Sequence, residues 1–187
     1  MKVLVTGGSG FIGSNLINDI TKKDHEIINA DIAEPKVALH HKYWNKIDIL
    51  DYSGLISIFE ANQPEAVIHL AAETDCNPRL KIEDYNVNIE GTKNVLQAVK
   101  ETESVERVII TSTQYVHQGK QMPTSDTDYD PHTIYGESKI ESEKLTREMS
   151  LQCTWTIIRP TNIWGPWHLR YPFEFWKVLK EGKYFQN

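Results

Sequence analysis

The run Thr6-Gly7-Gly8-Ser9-Gly10-Phe11-Ile12-Gly13 constrains this chain most, because it lies between a short aliphatic strand and an amphipathic helix. Val3-Leu4-Val5 leads into it, and apolar residues at Phe11, Ile12, Leu16, Ile17 and Ile20 follow at helical spacing. A strand, a G-x-x-G-x-x-G turn and a helix in that order bring a helix N-terminus to the end of a strand. A diphosphate can approach there because Gly7 and Gly10 carry no Cβ, and the unpaired N–H groups and dipole of the helix favour its charge. Gly13 lets the helix pack closely on the sheet. For an isolated match the competing reading is a glycine-rich turn with no ligand. Asp31 weighs against that reading. It ends the second aliphatic run, Glu26 to Ala30, 24 positions after Gly7, where a carboxylate accepts hydrogen bonds from the ribose hydroxyls of an adenosine. The same carboxylate repels a 2′-phosphate, so NAD is expected rather than NADP.

The rest of the chain repeats the strand–helix alternation. A third short strand is expected within Tyr43 to Ile47, and a helix around Leu55, Ile56, Ile58 and Phe59. Ala66-Val67-Ile68-His69-Leu70 and Arg107-Val108-Ile109-Ile110 read as buried strands, separated by a helix from about Asn88 to Lys100. A further helix is expected from Thr133 to Met149, and a sixth strand from Thr154 to Ile158. Strands and helices in alternation, with no two-residue hairpin turns, predict an α/β, doubly wound, mostly parallel sheet covered on both faces. Residues 1–160 form the principal domain on this reading. Residues 161–187 gather Trp164, Trp167, Tyr171, Phe173, Phe175 and Trp176 among prolines, and either pack on the sheet or begin a second lobe.

Tyr135-Gly136-Glu137-Ser138-Lys139 places a tyrosine and a lysine four apart in the expected helix, on one face. Removing a hydroxyl proton during oxidation of a carbinol requires a base, and a free phenol with a pKa of about 10 is seldom ionised. A nearby ammonium brings that pKa toward neutrality. A solvated helix face is the competing reading, and with eight tyrosines one accidental spacing is unremarkable. Thr111-Ser112-Thr113 favours the chemical reading, because ligands in open α/β sheets sit beyond the carboxyl ends of strands. Strand propensity alone also accounts for that threonine-rich end.

Together these segments resemble the extended short-chain dehydrogenase/reductase family, which contains the nucleotide-sugar epimerases. Its T-G-x-x-G-F-[IL]-G opening corresponds to Thr6–Gly13, and its acidic residue after the second strand to Asp31. Asp48-Ile49 matches its adenine-side pair, His69-Leu70-Ala71-Ala72 its H-x-A-A strand end, and Asn88 to Thr92 its N-x-x-G-T helix start. The resemblance implies that Gly7, Gly10, Phe11, Ile12, Gly13, Asp31, Asp48, Ile49, Leu70, Ala71, Ala72, Asn88, Tyr135 and Lys139 bind NAD. It also implies that Thr113, Tyr135 and Lys139 are catalytic. Thr113 stands three residues before Val116, in the place of the family's S-x-x-V-Y-G hydroxyl, with His117-Gln118 replacing the usual Tyr-Gly. Arg159 to Pro166 is similar to the family's R-x-x-N-x-x-G-P stretch, so Asn162 is a candidate contact for a nucleotide-sugar phosphate, with a turn or helix cap as the alternative. Family members continue well beyond this length. The resemblance therefore implies that 161–187 begins a substrate lobe most of which is not in this chain.

Two functions from different classes remain. The first is an NAD-dependent epimerase or oxidoreductase acting on a nucleotide sugar; the second is a non-catalytic NAD-binding module or domain fragment. Gln114-Tyr115 stands where the family's 4,6-dehydratases carry an Asp-Glu pair, so water elimination is not expected. A net charge of −6 argues against a nucleic-acid partner. His40-His41 has no metal-ligand context and reads as a pair of solvated loop histidines, and no metal is expected. Cys76 and Cys153 are too far apart for a C-x-x-C site and read as buried, reduced thiols. Without a signal-peptide core or a bilayer-length apolar run, a cytoplasmic protein with no membrane partner is expected. The family's four-helix-bundle dimer would here use the helices at Asn88–Lys100 and Thr133–Met149.

Overall fold

A computed structural model describes residues 1–119, 121–168 and 176–183. Six parallel strands form one sheet: β1 (Lys2–Thr6), β2 (Glu26–Asp31), β3 (Trp44–Lys46), β4 (Ala66–His69), β5 (Arg107–Thr111) and β6 (Thr154–Ile158). Their spatial order is β3-β2-β1-β4-β5-β6, so the chain winds outward in both directions from β1. The helices are α1 (Phe11–Ile20), α2 (Tyr52–Asn62), α3 (Thr92–Glu101) and α4 (Ile134–Glu148).

Alternation along the strands explains why the sheet is buried. In β1, Val3 and Val5 pack with Ile17 of α1, while Leu4 points to the opposite face, with Leu55, Phe59, Val95 and Leu96 of α2 and α3. Leu55 and Phe59 are wholly buried, and truncating either to Ala costs about 3–5 kcal/mol in a core of this density. The starts of α2 and α4 are capped locally. The Asp51 carboxylate accepts the Gly54 N–H at 3.1 Å, and the Thr133 hydroxyl accepts the Gly136 N–H at 3.0 Å.

Register aligns the carboxyl ends. Thr6 pairs with both Ala30 and His69, and His69 with Ile110, so the turns after β1, β2, β4 and β5 open on the same edge. The order reverses between β1 and β4, which is where ligands bind in such sheets.

The structure departs from the sequence reading in four places. Cover on both faces does not extend to β6, whose residues are mostly exposed, Trp155 and Ile158 among them. The helix expected from Asn88 opens as a wide π-type turn over Val87–Gly91, because the Asn88 carbonyl accepts the Thr92 and Ser142 hydroxyls, each at 2.6 Å. His40 is buried rather than solvated, its Nε2 2.9 Å from Asn18 Oδ1. Cys76 and Cys153 are only half-buried. In the last segment, Trp164, Trp167 and Trp176 are exposed, while His168 stacks edgewise on Phe11 and the Asn15 side chain donates to the Pro166 carbonyl. Tyr171, Phe173 and Phe175 lie outside the described residues. Among the described residues, no helix is long and apolar enough to cross a membrane, and no cluster of His, Cys, Asp or Glu could hold a metal ion.

Candidate active site

Two cavities meet over the glycine turn. The first, of about 440 Å³, lies over the ends of β1 and β2 and is lined by Asp31, Asp48, Ile49 and the Leu70-Ala71-Ala72 strand exit. The second, of about 390 Å³, is lined by Phe11, Ile12, Gly13, Thr111–Thr113, Tyr135, Lys139 and Pro160–Ile163. Gly7, Gly10, Leu70 and Ala72 belong to both.

The three motif glycines, Gly7, Gly10 and Gly13, have different reasons. Gly7 has φ +71°, and a Cβ there would lie 2.6 Å from the Ala71 nitrogen. At Gly13 a Cβ would come within 2.4 Å of Gly8 Cα, so the start of α1 could not seat. At Gly10 a Cβ would meet only the Gly7 carbonyl, at 3.3 Å. Protein packing crowds Gly10 less than Gly7 or Gly13, and its missing side chain leaves room where both cavities meet. The residues fit a dinucleotide on that count. They fit on a second, because the buried Thr111 hydroxyl lining the inner cavity has no protein partner.

Asp31 braces the turn: Oδ2 accepts the Ser9 N–H and Oδ1 the Ala33 N–H, each at 2.8 Å. Each oxygen keeps a further lone pair, so the carboxylate can still accept from a ligand hydroxyl. Behind the turn, Thr6 and Thr92 hold the buried His69 ring from both sides, at 2.7 and 3.0 Å. Since the Thr92 hydroxyl donates to the Asn88 carbonyl, it accepts from Nε2–H, and Nδ1 accepts from Thr6. Burial, with the Lys139 charge, lowers the His69 pKa to about 3, so the ring is neutral.

The inner cavity collects the chemical groups. Tyr135 and Lys139 project from successive turns of α4, and Thr113 stands just past β5; all three are buried. Burial pushes the Tyr135 phenol up to about 12, against the opposing pull of a hydrogen bond with Thr113. Burial brings the Lys139 ammonium down to about 8, while Glu143 draws it back up. The expectation that Lys139 brings Tyr135 toward neutrality is therefore not met here. Desolvation dominates the shift of the phenol.

Of the remaining expected residues, Asn162 is exposed at the cavity's outer wall. Asn88 lines neither cavity. Its amide accepts the Glu73 N–H at 2.8 Å and donates to the Glu73 carbonyl and the Ser138 hydroxyl, clamping the loop after β4 to α4. Sequence reading missed Glu143. Glu143 was detectable, because it extends the Tyr135, Lys139 stripe by one more helical turn.

The model of the NAD-dependent epimerase/dehydratase family matches residues 3–177. The chain is 32% identical over 190 residues to the N-acetyl-alpha-D-glucosaminyl-diphospho-ditrans,octacis-undecaprenol 4-epimerase of Escherichia coli O157:H7, covering 97% of the chain and 55% of that protein. It is 30% identical over 182 residues to a 3-beta-hydroxysteroid dehydrogenase of Mycolicibacterium neoaurum, covering 88% and 48%. The chain thus spans about half the length of the curated relatives it matches. Among solved structures, the Bordetella bronchiseptica enzyme WbmG in complex with NAD superposes with a TM-score of 0.81 at 27% identity, covering 99% of this chain and 61% of that one.

Proposed function

The chain belongs to the NAD-dependent epimerase/dehydratase family, and from that premise we propose that it supplies the NAD-binding and hydride-transfer part of an epimerase or oxidoreductase acting on a nucleotide sugar. One observation carries this reading: Thr113, Tyr135 and Lys139, from two separate elements, line the cavity that continues from the glycine turn. NAD, when bound, supplies the hydride acceptor, held by the glycine turn, Asp31 and the Leu70-Ala71-Ala72 edge.

The chain's own groups handle the proton. Tyr135 Oη sits within hydrogen-bonding influence of Thr113, so a substrate hydroxyl reaching both would be oriented by the threonine and exchange its proton with the phenol. With the phenol raised to about 12 by burial, Tyr135 holds its proton at neutral pH, and acting as a base requires added positive charge. Lys139, one helical turn along, is a cation below its pKa of about 8. At the position of the dehydratases' acid pair, Gln114 is exposed and Tyr115 packs edgewise on Tyr135, ring centroids 6.2 Å apart. Neither is a carboxyl group, so the dehydratases' acid pair has no counterpart there, which favours epimerisation or simple oxidoreduction over water loss.

The test is Tyr135→Phe, with NAD affinity measured by calorimetry and turnover of UDP-, GDP- and dTDP-sugars followed by chromatography beside a 3β-hydroxysteroid control. Turnover should fall about 10²–10⁴-fold with NAD affinity nearly unchanged. Undiminished turnover in the variant would remove Tyr135 from the mechanism. Conversion of the steroid alone would overturn the sugar assignment. NAD binding by the wild type with no conversion of any substrate would instead favour a non-catalytic NAD-binding module.

A further inference from the structure

Glu143 lies on α4 one turn beyond Lys139 and two beyond Tyr135, and its side chain has no exposure to solvent. A buried carboxylate persists only where donors replace water. Here Oε1 accepts the Ser112 hydroxyl at 2.6 Å and Arg159 Nε at 2.8 Å, and Oε2 accepts the second Arg159 arm at 2.6 Å and the Tyr129 hydroxyl at 3.0 Å. Arg147 approaches Oε2 at 3.5 Å. Burial alone would raise the Glu143 pKa, but the Arg159, Ser112 and Tyr129 bonds outweigh it, and the carboxyl stays ionised below its ordinary value.

The position of each partner matters. Ser112 immediately precedes Thr113. Arg159 immediately precedes Pro160, where the wall bearing Asn162 begins. Tyr129 belongs to the segment between β5 and α4, whose Asp126 carbonyl takes a further bond from Arg159 at 2.5 Å. One carboxylate therefore ties the exits of β5 and β6 to the helix that carries the Tyr–Lys pair.

We propose that Glu143 is a positioning residue of this site. It holds Thr113 and the Asn162 wall in register with Tyr135 and Lys139, and it is the buried counter-charge that keeps Lys139 protonated. The second role follows from the neighbours. His69 of β4 is neutral, Tyr135 is an un-ionised phenol, and Glu143 is the anion that acts on the Lys139 ammonium. Arg159 and Arg147 face Glu143 in turn and limit how much of its charge reaches Lys139. The proposal takes the significance of Lys139 from the function proposed above, but the electrostatic link can be measured without turnover.

In the full chain labelled with [ε-¹³C]lysine, the Lys139 resonance is assigned by its loss in Lys139→Met and titrated with pH. The wild-type midpoint should lie near 8. Glu143→Gln should lower it by ~1 unit or more, and Glu143→Asp, which keeps the charge, should restore it. Arg159→Gln should move it upward, because less of the Glu143 charge is neutralised; this arm stands even if Glu143→Gln fails to fold. An unmoved midpoint in folded Glu143→Gln, or a fall in Arg159→Gln, overturns the counter-charge. For the positioning role, Ser112→Ala should reduce kcat several-fold with KM for NAD unchanged and the Lys139 midpoint in place. Unchanged kcat in Ser112→Ala would overturn it. If the midpoints move as expected while the wild type converts no substrate, the electrostatic link stands and the catalytic reading fails.

Discussion

The two cavities over the glycine turn are built from different materials. The cavity over β1 and β2 is lined largely by turns at the ends of strands: Gly7 and Gly10 after β1, Asp31 to Ala33 at the end of β2, Leu70 to Ala72 after β4. Of the carboxylates that line it, Asp31 spends a bond from each oxygen on its own frame. The reacting-side cavity is made of side chains with perturbed protonation, carried by α4 and β5 and steered by a buried Glu143 that touches neither cavity. Its outer wall, at Thr161 and Asn162, is exposed. Cofactor recognition here is a property of local chain geometry, whereas the chemical groups depend on how distant elements are packed.

Substitutions in the two halves should separate accordingly. The largest effect is expected at Gly7→Ala: a residue at φ +71° with its Cβ 2.6 Å from the Ala71 nitrogen must displace the strand exit. NAD affinity should drop ~100-fold or more, with stability falling by over ~1 kcal/mol; calorimetry and thermal melts decide both. A mild effect there would show that the turn is not the frame described.

Next comes pH. His69 has its pKa lowered to about 3 by burial, against an ordinary value of 6.5, so the unfolded chain binds the proton more readily. The stability contributed by the neutral ring is present above pH 6.5 and drains as pH falls below it. About 2 kcal/mol should be lost between pH 7 and 5, measured by urea unfolding at the two values. His69→Gln should flatten that slope, and an unchanged slope would place the titration elsewhere.

Asp31→Asn should weaken NAD binding by roughly tenfold, the worth of a charge-assisted hydrogen bond, and should narrow the preference over NADP. Asn162→Ala, at the exposed wall of the other half, should leave NAD affinity alone and weaken nucleotide-sugar binding by a few-fold. The smallest effect is expected outside both halves. The Lys144–Glu141 pair is about half exposed, and Lys144→Ala should change stability by under ~0.5 kcal/mol in chemical denaturation.

The same division separates what could be read from the sequence and what could not. The β1–turn–α1 unit, Asp31 and the strand–helix alternation were legible because each rests on neighbours within a few residues, where spacing dictates conformation. All six strands occur where aliphatic runs predict them. Asn88 was legible as a helix start but not as a clamp, since its partners Glu73 and Ser138 lie 15 and 50 residues away. His40 read as solvated because nothing in its own segment announces Asn18 as its partner.

By itself the sequence determined a doubly wound dinucleotide fold and brought Tyr135 and Lys139 onto one helical face. Only the tertiary structure decided the state of those groups. Burial, which no spacing encodes, leaves the phenol high and the ammonium low, with Glu143 drawing the ammonium back up. Desolvation depends on every atom packed around a charge, and those atoms come from β4, β5, β6 and α4 together.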